Sequence, residues 1–256
     1  MNSQGIFSGD MPVYCFHMTL AGLNIEVECR NIRDFADCYD YVTDSKITDI
    51  SVRASDDDIA NERIERTNRM GYQSFITEEM KGIESQVIYR MIADQMLSYN
   101  TILMHGSVVA MNNKAYMFIA PSGTGKTTRT KLWIEAYPNS YVVNGDKPLV
   151  RVTDTKVIAC GSPWCGKEGW NTNVMIPLKG ILLLERANDN QSSISEINMR
   201  EAFPVLLQQT YRKADITSTM KTIQLLFDME KKVKFYRFRS TPDIESISLA
   251  YETVCK

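Results

Sequence analysis

Ala120 to Thr128 reads APSGTGKTT. An apolar run, Tyr116 to Ile119, precedes it, and a helix-like segment, Thr127 to Ala136, follows. Strand, glycine-rich turn, Lys-Thr and helix is the order in which a chain builds a phosphate-binding loop. Gly123 and Gly125 reach backbone angles barred to other residues. Their exposed amides, with the positive end of the following helix, then face an anion. The stretch Ser122, Gly123, Thr124, Gly125, Lys126, Thr127 and Thr128 is thus expected to cradle ATP. Lys126 would reach its β- and γ-phosphates, and Thr127 would offer a hydroxyl to Mg²⁺. The usual pattern opens on glycine, where this chain has Ala120; alanine serves if its φ stays negative.

Working outward, 256 residues suffice for one good core, or one core and a smaller lobe. A formal net charge of −2 without a basic cluster argues against a nucleic-acid-coating protein. No apolar run reaches the ~18 residues of a membrane span. The first residues, MNSQGIFSGDMPVYCF, do not read as a secretory signal, so the expected location is cytoplasmic. Six cysteines make no Cys-x-x-Cys pair, and the two histidines are not at metal-ligand spacing. Reduced, mostly buried thiols are expected rather than a structural zinc site.

The periodicity predicts an α/β chain with a strand-rich N-terminal lobe, residues 1–76, followed by a catalytic domain, residues 77–256. In the lobe, Tyr14 to Leu20 and Asn24 to Cys29 read as a hairpin, and Ile47 to Arg53 as a third strand. Arg33 to Val42 reads as a short helix or a further strand. Asp56-Asp57-Asp58 reads as a helix cap rather than a metal cluster, because consecutive aspartates point apart. Thr77 to Tyr99 carries apolar residues at helical spacing from Ile83 to Met96. Ile102 to Ala110 then reads as one strand, joined to the next through Asn112-Asn113. Later strands are expected at Tyr141–Asn144, 149–152, 157–159, 180–184 and 232–238, and helices at 199–209, 218–228 and 243–254.

Three residues stand out near the loop. Asp146 ends what reads as the adjacent apolar strand, where a carboxylate holds Mg²⁺ or takes a proton from an attacking hydroxyl. His105 would begin a strand at the end opposite the Asn112-Asn113 turn, as a catalytic or a structural histidine. Lys167 lies in GSPWCGKEG, residues 161–169, which reads as a loop with an exposed Trp164. It reads equally as a second phosphate-binding cation or as a solvated lysine.

Ser122-Gly123-x-Gly125-Lys126-Thr127, the upstream His105-Gly106 and Asp146 together resemble the HPr kinase/phosphorylase catalytic domain, which is related to phosphoenolpyruvate carboxykinases. The resemblance covers roughly residues 100 to 190. It departs from the family where Ala120 replaces the first loop glycine and Gly145-Asp146 replaces an Asp-Asp pair. Glu185-Arg186 stands where a longer glycine- and arginine-containing signature is expected. Asn144-Gly-Asp-Lys-Pro148 and Ser162-Pro-Trp-Cys-Gly-Lys-Glu168 are similar to the short kinases that tailor precursor peptides in natural-product biosynthesis. The resemblance implies a P-loop kinase that uses ATP and Mg²⁺ on a serine hydroxyl of a peptide or small protein. On this reading Lys126, Asp146, His105 and Lys167 carry catalysis, Thr127 and Asp146 hold the metal, and the N-terminal lobe binds the peptide. It also implies a homo-oligomer. A nucleotide-binding regulatory module and a free-serine kinase remain the alternatives.

Overall fold

The computed structural model describes residues 13–70, 82–187 and 191–255. It opens with β1 (Tyr14–Leu20) and β2 (Leu23–Cys29), paired antiparallel across a two-residue turn in which Ala21 and Gly22 both have positive φ. Such turns match the twist of the strands they join. A 3-10 helix (Ile32–Tyr41) follows, resolving the helix-or-strand alternative for that segment. Next comes β3 (Ile50–Arg53), shorter than predicted and parallel to β2. Helix α1 (Asp56–Met70) starts where Ser55 and Asp58 bond each other's side chains and amides, so the aspartates are a cap.

Helix α2 (Ile83–Met96) carries the predicted apolar face; its expected start at Thr77 lies outside the described residues. Its residues Ile88, Ile92 and Met96 are fully buried against β1, β2, β3 and the 3-10 helix. The same core takes in one face of the larger sheet through Leu103, Leu149, Ile158 and Cys160.

That larger sheet is built from β4 (Thr101–Leu103), β5 (Gly106–Met111), β6 (Lys114–Ile119), β7 (Tyr141–Asn144), β8 (Leu149–Val152), β9 (Val157–Cys160), β10 (Met175–Arg186), β11 (Ser193–Ile197) and β12 (Lys234–Ser240). Its order is β4-β8-β9-β10-β6-β5-β7, with β12 also on β10 and β11 on β12. The twelve-residue β10 joins two regions: its start pairs antiparallel with β9, while its remainder lies parallel to β6 and β12. Alternation along β6 splits the core. Ala115, Met117 and Ile119 face α4 (Met199–Gln208) and α5 (Ile216–Asp228). Tyr116 and Phe118 face α3 (Lys126–Ala136) and α6 (Ile244–Val254). Helices on both faces of a mainly parallel centre make this a mixed α/β fold.

Two strand expectations need correction. Residues 102–110 are not one strand: β4 pairs with β8, β5 pairs with β6 and β7, and the chain changes partners at Met104-His105. The strand carrying Asp146 is also not adjacent to the strand of the loop, since β5 lies between β6 and β7. The cause is the β5–β6 hairpin, closed by Asn112 and Asn113 at positive φ, which occupies that edge of β6 first. Strand β11, absent from the sequence reading, buries only Ile197.

Candidate functional site

The carboxyl ends of the parallel strands β6, β7, β10 and β12 share one edge of the sheet, where ligands bind in open α/β sheets. Segment 120–125 leaves β6 there. Ala120 is buried and keeps a negative φ, so the departure from glycine costs no strain. Gly123 and Gly125 have φ of +79° and +109°, and α3 begins at Lys126 with no side chain capping its first amides. Lys126 is buried, its Nζ donating to the Ala120 carbonyl at 2.8 Å. Burial pulls its pKa down, and the charge of Asp146 partly opposes this. Arg186 Nη2 donates to the Gly123 carbonyl at 2.6 Å and so ties the turn to the end of β10.

A second buried cation, Arg129, braces the loop from behind. It donates to Ser240 Oγ at 3.1 Å and to the Ser240 carbonyl at 2.6 Å. A Cβ on Gly125 would lie 2.3 Å from Arg129 Nη1. Gly125→Ala therefore meets both an unfavourable φ and a side chain held in place. It should cost about 2 kcal/mol in urea unfolding, with Arg129→Ala restoring none of the backbone part.

Asp146 follows β7 in a turn organised by Asn144. The fully buried Asn144 accepts from the Asp146 and Lys147 amides at 2.9 and 2.7 Å, and its Nδ2 donates to the Ser162 carbonyl at 2.9 Å. The Tyr89 hydroxyl of α2 lies 2.7 Å from the Lys147 carbonyl and 3.0 Å from Ser162 Oγ. Tyr89→Phe leaves those buried groups short of a partner, and thermal unfolding should show a loss of about 1–3 kcal/mol. Asp146 Oδ2 is 2.6 Å from Lys147 Nζ, and Oδ1 is 3.3 Å from His105 Nε2. Burial opposes the charge on Asp146, but the hydrogen bond from His105 and the Lys147 ammonium outweigh it. The carboxyl is held well below its ordinary range. His105 is itself fixed at the partner switch by its amide on the Gln209 carbonyl, 2.7 Å, and by Nδ1 against Gln209 Oε1, 2.8 Å.

These groups enclose a cleft of about 450 Å³. His105, Ser122, Gly123, Gly125, Lys126, Thr127, Asp146 and Lys167 line it. Thr124 and Thr128 do not: Thr124 Oγ1 turns back onto the Pro121 carbonyl at 2.9 Å, and Thr128 is exposed on α3. Lys167 is exposed in a turn between Gly166 and Gly169, both at positive φ. Gly166 is needed on a second count, since a Cβ there would lie 3.0 Å from Asp146 Cβ. Trp164 is not exposed as the sequence reading had it. Its ring stacks on Tyr89 with centroids 4.0 Å apart, and its Nε1 donates to Ser85 at 2.9 Å. This stack pins the 161–169 loop to α2.

Sequence reasoning passed over Lys147, Gln209, Arg129 and the Asn144–Ser162–Tyr89 network. All are brought to the site by turns and pairings that depend on distant segments, which no local pattern encodes.

The residues present fit Mg²⁺ in kind. Thr127 and Asp146 line one cleft and supply a hydroxyl and an ionised carboxylate, the hard oxygens that this ion takes alongside phosphates and water.

No model of a known protein family matches the chain, and no curated protein matches it. Among solved structures, the Hpr(Ser) kinase/phosphatase from Coxiella burnetii overlaps it with a TM-score of 0.36 and 8% identity, over 59% of this chain and 95% of that one. A likeness that loose carries no argument about activity. No helix among the described residues is long and apolar enough to cross a membrane.

Proposed function

We propose that this chain is an ATP-dependent kinase acting on a serine hydroxyl of a peptide or small protein. The observation that carries the reading is the convergence, in one cleft, of the 122–127 turn and Lys126 with an ionised Asp146. Lys126 and the turn amides hold the phosphates. Lys167, which lines the cleft, or Arg186, bonded to the turn at Gly123, would offset charge as the phosphoryl group moves. The serine oxygen attacks the γ-phosphorus. As its O–P bond forms, the bond to the β–γ bridging oxygen breaks, its electron pair leaves on ADP, and the hydroxyl proton passes to water. Asp146 orients that hydroxyl. A carboxyl ionised so readily is a weak base, and phosphoryl transfer asks more for positioning than for proton abstraction. Bound Mg²⁺ would neutralise phosphate charge, held by Thr127 and Asp146.

The test is transfer of labelled γ-phosphate from ATP and Mg²⁺ to serine-containing peptides, with Asp146→Asn as control. Label on serine that is lost in the variant supports the kinase. ATP binding without transfer favours a nucleotide-binding regulatory module. The engagement of both Asp146 oxygens by Lys147 and His105 speaks for that second reading.

A further inference from the structure

A second cleft, of about 480 Å³, adjoins the first. The two share His105 and Gly166. Lys147, which lines the second, is bonded to Asp146, which lines the first. A group seated in the second cleft therefore meets Asp146 across one shared wall. That wall is rigid: His105 is held by Gln209, and the Gly166 loop by the Trp164–Tyr89 stack.

The lining speaks to the chemistry of the occupant. A free amino acid needs an available cation for its carboxylate and an available anion for its ammonium. The cations here are committed, Arg90 to the buried Glu62 and Lys147 to Asp146. Withdrawing Arg90 from a buried carboxylate is costly. Asp37, the one carboxylate among the described lining residues, is exposed and open to an ammonium, but no lining cation is left for the carboxylate of a free amino acid. The other uncommitted polar groups are amides. Gln86 on α2 and Gln208 at the end of α4 are both exposed and make no side-chain hydrogen bond among the described residues. A carboxamide both donates and accepts, which matches the N–H and C=O of a peptide backbone. Leu103, Met104 and Tyr211 add apolar surface, giving the mixture typical of ligand pockets of this size.

We propose that this cleft is the acceptor site and that it takes a serine flanked by amide bonds, a peptide segment rather than a free amino acid. The inference rests on the kinase reading above. It gives 3-10 helix 32–41 and α2 a role in choosing the substrate.

The experiment compares labelled phosphate transfer to two probes: a pool of acetylated, amidated heptapeptides with a fixed central serine, and free L-serine. Wild type is set beside the double variant Gln86→Ala/Gln208→Ala, whose exposed positions leave the fold intact. The pool should be labelled at least about tenfold better than serine. The double variant should raise KM for the pool about tenfold, the loss of two neutral hydrogen bonds, with kcat and ATP binding within about twofold. Equal KM values in wild type and variant would overturn the acceptor site and leave the kinase standing. Serine labelled as well as the pool would overturn the peptide class. Labelling of neither probe, with ATP bound, would overturn the kinase reading and this inference with it.

Discussion

Lys126→Met should abolish phosphoryl transfer and leave the fold at least as stable as the parent. The two effects have different sources. For transfer, the ammonium is the one buried cation of the 122–127 turn, and its removal leaves charge developing on the phosphates without its nearest counter-charge. Losses on the order of 10³-fold are expected for such a group. For stability, Lys126 is buried with a single bond among the described residues, to the Ala120 carbonyl, and burial disfavours its charged form. Methionine keeps the length and drops the charge. The pH dependence gives the sign. With the folded pKa lowered, the unfolded chain binds the proton more tightly, so wild-type stability rises with pH as it nears the ordinary lysine value of about 10.4. The Met variant lacks that rise. Its advantage in melting temperature should be greatest near pH 7 and shrink toward pH 10. Normal turnover by the variant would remove Lys126, and with it the proposed phosphate loop, from the chemistry.

The contrast between Lys126 and Lys147 shows what the sequence could convey. Lys126 was legible because strand, glycine turn and helix are consecutive, so local order alone sets its surroundings. The same holds for the β1–β2 hairpin and for the Asn112-Asn113 turn, whose geometry is written in adjacent residues. Lys147 and Asp146 are also adjacent, yet neighbours in an extended chain point apart. Only the turn imposed by Asn144 brings their side chains together, and Asn144 is held by Ser162 on a distant loop. His105 is a second case. Ile102 to Ala110 is apolar enough to read as one strand. The break at Met104-His105 arises because β8 claims one half and β6 the other, a pairing no local pattern encodes. Trp164 was misread for a like reason: its loop is rich in glycine and proline, but the surface that buries its ring is on α2.

Asp146→Asn should cut kcat by on the order of 10²- to 10³-fold and raise the Mg²⁺ concentration for half-maximal rate at least about tenfold. Asparagine preserves shape, so Gly166 still fits against it, and only the charge is lost. That charge is secure in the parent. Burial works against it, but the His105 bond and the Lys147 ammonium hold the carboxyl well below its ordinary range. A group whose folded pKa is depressed contributes stability above its unfolded value, about 3.9, and loses it as the pH falls through the folded value. The stability gap between parent and variant should therefore be flat above about pH 5 and close below about pH 4. By the same token, no acid limb in the rate profile between pH 5 and 8 should trace to Asp146. The kinetic split separates its two roles. A higher Mg²⁺ requirement marks a metal-holding carboxylate. A fall in kcat at unchanged Mg²⁺ requirement marks one that only orients the hydroxyl. An acid limb near pH 6 that vanishes in the variant would instead make Asp146 a proton acceptor and contradict the low proton affinity that its neighbours impose.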